Sequence, residues 1–274
     1  MTPSVRRRFL PGAERIELLF CPESEAAART PLLFVHGGYV GAWSWAEHFL
    51  AWFAARGFPV YALSLRGHGM SGGRERLHSF GLDHYAEDLA HAVQALPRPA
   101  ALIGHSMGAL VVQKHLAFAP APAAVLACPV PPFGLLPSAL SLALFRPALW
   151  GEINALAAGR NTSREALIQA LFAGPMEAER VERIFGRMQA ESRRALMDMA
   201  WWGLPQLWRI NRPQTLVLGA GRDALISPLL AESGARLLGA EYRLLEGLGH
   251  ALMLDARWEH AAGALHGWLE QRGL

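Results

Sequence analysis

The chain has 274 residues, is 52% hydrophobic and carries a formal charge of only +3 at pH 7, enough apolar material for a large buried core and too much for a disordered chain. Its pI of about 9.2 comes from scattered arginines around a single lysine, Lys114, and not from a basic stripe, which argues against nucleic acid as a partner. Cys21 and Cys128 are too far apart for a metal-ligand spacing, no apolar run is long enough to span a membrane, and Pro11 to Glu14 interrupt the N-terminus before any secretory leader can form. The expectation is a cytoplasmic protein with no membrane span, no metal and no cofactor, with homo-oligomerisation left open.

Along the chain, short apolar runs bounded by turn residues alternate with longer stretches of helical period. PLLFVHGG gives a strand at about 31–35, WSWAEHFLAWFAARG a helix ending at Gly57, and FPVYALSL the next strand. SFGLDHYAEDLAHAVQAL reads as an amphipathic helix, AALIGH as a buried strand, MGALVVQKHLAFA as a helix and AAVLAC as a strand. The alternation stops at CPVPPFGLLP. From about Phe133 to Trp208 the pattern is helical only, with a helix start at Ser163 or its neighbours. QTLVLGAGRD and EYRLLEGLGH then give two more strands, and ALMLDARWEHAAGALHGWLEQRG a closing helix. The order predicts an α/β fold, a mostly parallel sheet flanked by helices, with core segments 1–132 and 209–274 around an inserted helical cap at 133–208.

ALIGHSMGAL sets Ser106 between glycines at 104 and 108, where a strand runs directly into a helix. Gly-x-Ser-x-Gly is short enough to arise by chance, so its context decides. A strand-to-helix turn this tight strains its central residue and leaves no room for side chains at the flanking positions. It exposes the serine hydroxyl at a helix N-terminus, where the Met107 N–H can stabilise developing negative charge. A serine needs a base, and the base an orienting acid. Asp223 follows the resumed strand in Gly-Ala-Gly-Arg-Asp, and His250 follows the last strand in Gly-Leu-Gly-His. Ser106, Asp223 and His250 are therefore the candidate catalytic residues.

GHSMG, HGG, GRD and GLGH in this order resemble the α/β-hydrolase fold family over nearly the whole chain. The resemblance implies that Gly38, in HGGYVGAWSW, gives the second oxyanion N–H beside Met107. SLRGHGMSGG is similar to the family's Asp-x-Arg-Gly-x-Gly-x-Ser loop, except that Ser64 stands where aspartate is usual. That position braces a turn, and serine can still hydrogen-bond backbone there.

Competing readings are weaker. His36 and His105 suit structural hydrogen bonding, His260 and His266 lie in the closing helix, and Asp198 sits within a helix of the insertion. The glycines from Gly67 to Gly72 match a dinucleotide-binding pattern, but no apolar helix follows and no acidic residue ends a strand about 20 positions later. ACPVPPFG carries no carboxylate, which rules out an acid after the strand before the cap. The cap is apolar, with Trp150 and Trp202 among its candidate pocket walls. It predicts a movable lid, with hinges at its proline-rich start and at Gly203-Leu204-Pro205, over a small-molecule ester with an apolar acyl or aryl part. A thioesterase or acyltransferase, a carbon–carbon bond hydrolase, a cofactor-free perhydrolase and a non-catalytic binding module on the same fold are the alternatives.

Overall fold

The computed structural model describes residues 3–12, 14–25 and 27–274. Among them, eight strands form one sheet in the order β1-β2-β4-β3-β5-β6-β7-β8. The strands are β1 (Arg6–Leu10), β2 (Ile16–Phe20), β3 (Leu32–Val35), β4 (Val60–Ser64), β5 (Ala101–His105), β6 (Ala123–Ala127), β7 (Gln214–Ala220) and β8 (Glu241–Leu245). β1, β2 and β4 pair antiparallel, and every pairing from β4 to β8 is parallel.

The parallel strands are apolar runs because both faces of the sheet are covered. In β3, Leu32 and Phe34 enter one core with Trp45, Phe49, Phe53 and Trp268, while Leu33 and Val35 enter the opposite core with Tyr85, Leu89, Leu110 and Val111. The α-helices before β6 are α1 (Trp43–Ala46), α2 (Phe49–Ala54), α3 (Leu82–Gln94) and α4 (Met107–Leu116). Between β6 and β7 come α5 (Leu136–Phe145), α6 (Pro147–Ala157), α7 (Arg164–Leu171), α8 (Ala178–Phe185) and α9 (Arg193–Met197), and the chain closes with α10 (Pro228–Leu238) and α11 (Trp258–Gln271). Ser163 caps α7, its Oγ accepting from the Ala166 N–H at 3.1 Å. No helix described is long and apolar enough to cross a membrane.

The single helix expected from Trp43 to Gly57 is two short ones, broken at His48, whose backbone (φ −139, ψ −50) is not helical. The β1–β2 hairpin is absent from the sequence expectation. RRRFL is an edge strand whose charges find partners at short range: Arg7 pairs with Glu17, and Arg8 pairs with Glu25 and lies over the rings of Phe20 and Tyr61.

Because β3 has β4 on one side and β5 on the other, the loops after β3 and β5 leave the same sheet edge side by side. This is the switch-point crevice of an open α/β sheet. The turn after β4 is braced from β2. Glu17 is buried, and its Oε2 accepts from the Ser64 hydroxyl at 2.6 Å and from the Met70 N–H at 3.0 Å. Ser64 Oγ in turn accepts from the Ala42 N–H at 2.9 Å. The carboxylate absent at position 64 is thus supplied by Glu17 of the neighbouring strand. Ser64→Ala should cost about 1–3 kcal/mol in urea unfolding, because it strands the buried Ala42 N–H and removes one of the two donors on Glu17 Oε2. Ser64→Asp should not rescue it at neutral pH, since two carboxylates would then meet in contact.

Candidate active site

β5 ends at His105 and α4 begins at Met107, so Ser106 alone makes the turn, with φ 50 and ψ −115. A non-glycine residue at such angles carries roughly 1–3 kcal/mol of strain. The flanking glycines are steric requirements. A Cβ at Gly104 would stand 2.5 Å from the Gly108 carbonyl oxygen, and one at Gly108 would stand 2.4 Å from that of His36. The Ser106 N–H donates to Ala127 O at 3.0 Å, tying the turn to the end of β6.

Asp223 ends the tight turn after β7. Its Oδ1 accepts from the N–H groups of Leu225 and Ile226, both at 2.8 Å, which aims Oδ2 at His250 Nδ1, 2.8 Å away. Because Nδ1 keeps its proton and donates it in a hydrogen bond to the carboxylate, His250 Nε2 is the free acceptor, and it faces Ser106 Oγ at 3.0 Å. The structure therefore brings Ser106, His250 and Asp223 into one hydrogen-bonded chain, with both partners of the serine buried.

The His250 loop is held from three sides. His105 Nε2 donates to His250 O at 2.9 Å, the Ala251 N–H donates to Leu171 O at 2.8 Å, and the Gly249 N–H donates to Asp255 Oδ2 at 3.2 Å. Asp255 Oδ2 also accepts from the Ala173 N–H at 3.0 Å, joining the segment after α7 to the same loop. With its Nε2 proton donated, His105 keeps a bare Nδ1, and burial holds its pKa well below the ordinary histidine value. His36 is likewise neutral: its Nε2 accepts from the Leu65 N–H at 3.0 Å, its Nδ1 donates to Gly37 O at 2.7 Å, and burial pushes its pKa down to about 3. His260 is exposed and His266 packs beside Trp52 and Phe58, away from the chain of hydrogen bonds. Asp198 accepts from the Leu82 N–H at 3.0 Å and pairs with Arg194, so it caps α3 rather than meeting His250.

Met107 is the first residue of α4, where an N–H has no partner within its helix. Gly38 lies in the loop after β3, which packs on the serine so closely that a Cβ at Gly37 would be 3.2 Å from Ser106 Cβ. Gly38, Met107, Ser106 and His250 line one cavity of about 360 Å³. Its walls are mostly apolar, among them Leu142, Trp150, Ile153, Leu167, Met199 and Leu225. Trp150 is one of them, whereas Trp202 faces outward and is 72% exposed.

Three residues near the site carry no signal in the sequence. Asp255 and Glu191 are isolated carboxylates most of whose partners lie far away in sequence. Cys128, at the end of β6 with φ 42, groups with Asp223 and His250 within 4.8 Å, the one such set of potential metal-ligand atoms among the described residues. Burial and the adjacent Asp223 carboxylate push its thiol well above the ordinary value.

A profile of the alpha/beta hydrolase family matches residues 32–262, and the chain belongs to that family. Among curated relatives, protein phosphatase methylesterase 1 of Bos taurus is 38% identical over 84 residues, 29% of this chain, and the match spans 22% of that relative's length. Among solved structures, a thermophilic esterase superposes with a TM-score of 0.70 at 20% identity, over 98% of this chain and 99% of the other. A serine hydrolase from Cycloclasticus zankles superposes with a TM-score of 0.73 at 17% identity, over 97% and 98%. Both are likenesses of fold.

Proposed function

We propose that the protein is a serine hydrolase that cleaves a carboxylic ester with an apolar acyl or aryl part through an acyl-enzyme, with residues 133–208 as its cap. The observation that carries this reading is the chain Asp223 Oδ2, His250 Nδ1, His250 Nε2, Ser106 Oγ, at 2.8 and 3.0 Å, on a strained turn beside two candidate oxyanion donors. Ser106 Oγ attacks the ester carbonyl as His250 Nε2 takes its proton, and the oxyanion lies between the N–H groups of Gly38 and Met107. His250 then gives the proton to the leaving alcohol. Water, deprotonated by the same nitrogen, attacks the acyl-enzyme and releases the acid, and the proton returns to Ser106. Asp223 holds the imidazole in the tautomer that each step requires.

The cavity's apolar lining supports a hydrocarbon acyl or aryl group over a sugar or phosphate, and the local match to a methylesterase agrees with ester chemistry. The cap's ties at Ala173 and Ala251, and the Lys114 Nζ bond to Gly203 O at 2.8 Å, support opening by α5 and α6 rather than by the whole segment.

Ser106→Ala should lose fluorophosphonate labelling and about four decades of esterase rate, and Asp223→Asn should cost on the order of 10⁴ in kcat. Asp198→Asn should lower stability while leaving the chemistry of the folded enzyme nearly intact. A mutant that keeps its label at another residue would move the nucleophile. On p-nitrophenyl esters, kcat/KM should climb nearly fourfold per added methylene, at about 0.8 kcal/mol each, and fall once the acyl chain outgrows the cavity. Trp150→Ala should move that optimum to bulkier groups. A flat profile in both proteins would remove the cap from acyl selection.

A further inference from the structure

Glu191, between α8 and α9, is the most deeply committed charge outside the triad. Its side chain is fully buried, and four donors converge on it: the Tyr39 N–H at 3.2 Å and His68 Nε2 at 3.0 Å on Oε2, the Tyr85 hydroxyl at 3.2 Å and the Ser192 N–H at 2.6 Å on Oε1. Tyr39 follows the candidate oxyanion residue Gly38 and has φ 65, a left-handed backbone for a bulky residue. A Cβ at Gly38 would lie 3.3 Å from Glu191 Oε2, so the carboxylate rests directly on the loop.

His68 has an acceptor at each ring nitrogen, Arg66 O 3.1 Å from Nδ1 and Glu191 Oε2 3.0 Å from Nε2. A neutral imidazole donates from one nitrogen only, and the imidazolium satisfies both. We propose that Glu191 and a protonated His68 form a buried latch by which the helical segment holds the Tyr39 backbone, and with it the Gly38 N–H, in place for the oxyanion. Both are positioning residues. The inference rests on the reading of Gly38 as an oxyanion donor.

The groups facing His68 are His36 from the loop after β3, its ring 5.0 Å away, Tyr85 from α3, Arg74 from the turn after β4, and Glu191 itself. Burial disfavours the imidazolium and Arg74 adds to that, but Glu191 and the Arg66 carbonyl outweigh them and the His68 pKa is raised. Burial likewise disfavours the Glu191 carboxylate, yet His68 and the backbone donors hold its pKa below the ordinary range. Both directions favour the ion pair. Because the His68 pKa is raised, the latch is complete below the ordinary histidine pKa and is lost as pH rises through the raised value. A buried Glu191 then loses its counter-charge, and the Tyr39 anchor loosens.

The test has three readouts on the full chain. In ¹⁵N-histidine spectra of the wild type at neutral pH, with His68→Gln used for assignment, His68 should carry both ring protons. A neutral His68 overturns the proposal. The alkaline limb of wild-type kcat should follow the His68 midpoint from those spectra, and a limb that ignores it also overturns the proposal. Glu191→Gln and Glu191→Ala, checked for folding by circular dichroism, should lower kcat on p-nitrophenyl butyrate by about tenfold or more, approaching the roughly 10²–10³ that outright loss of an oxyanion donor costs. KM should stay within about threefold, and affinity for a trifluoromethyl ketone should fall in parallel with kcat. Folded variants with wild-type kcat and pH profile overturn the latch. If activity survives in Ser106→Ala, the serine hydrolase reading beneath it fails instead.

Discussion

The architecture of the site depends on one close approach, the packing of Gly108 at the start of α4 against the carbonyls of Val35 and His36 at the end of β3, where a Cβ would stand 2.6 and 2.4 Å from their oxygens. Only a glycine lets the helix sit that low on the sheet. That seat holds Ser106 in its positive-φ turn and sets the Gly37–Gly38 loop alongside. A larger residue at 108 would lift α4, and the turn would relax before any side chain could be placed. The strain at Ser106 is thus held by backbone packing from both sides.

Loops at a sheet edge carry many backbone N–H groups without ladder partners, and the chain satisfies them with buried carboxylates. Glu17 fixes the turn after β4, Asp223 the turn after β7, Asp255 the His250 loop, and Glu191 the loop after β3. Asp255 Oδ2 and both oxygens of Glu191 serve donors from different segments, so neighbouring loops are held relative to one another as well as to the sheet. The helical segment takes part through Ala173 and Glu191. It therefore contributes to the geometry of the site as well as to its walls.

What could be read from the sequence follows from where each signal is stored. Strands covered on both faces are uninterrupted apolar runs, so β3 to β7 stand out, and the residues just past β5, β7 and β8 are identifiable as loop residues at one edge. Ser106, Asp223 and His250 are visible for that reason. β1 is not, because an edge strand answered by Glu17 and Glu25 can be written Arg-Arg-Arg. The break at His48 is also hidden, since Trp45 and Phe49 keep the spacing of one helix and pack on each other in the same core across the kink. Glu17, Glu191 and Asp255 are invisible because they accept from backbone N–H groups 53, 152 and 82 residues away, and no local pattern encodes them.

The proposed reaction requires Ser106 to form a covalent bond to the acyl group while His250 manages the proton. Intact and peptide mass spectrometry of enzyme quenched in acid during turnover of p-nitrophenyl butyrate addresses this directly. One butyryl group on the peptide containing Ser106, absent from the enzyme before substrate is added and after substrate is exhausted, is the predicted result. Turnover with no acyl adduct under conditions where deacylation is slowed, or an adduct on a different residue, would contradict it.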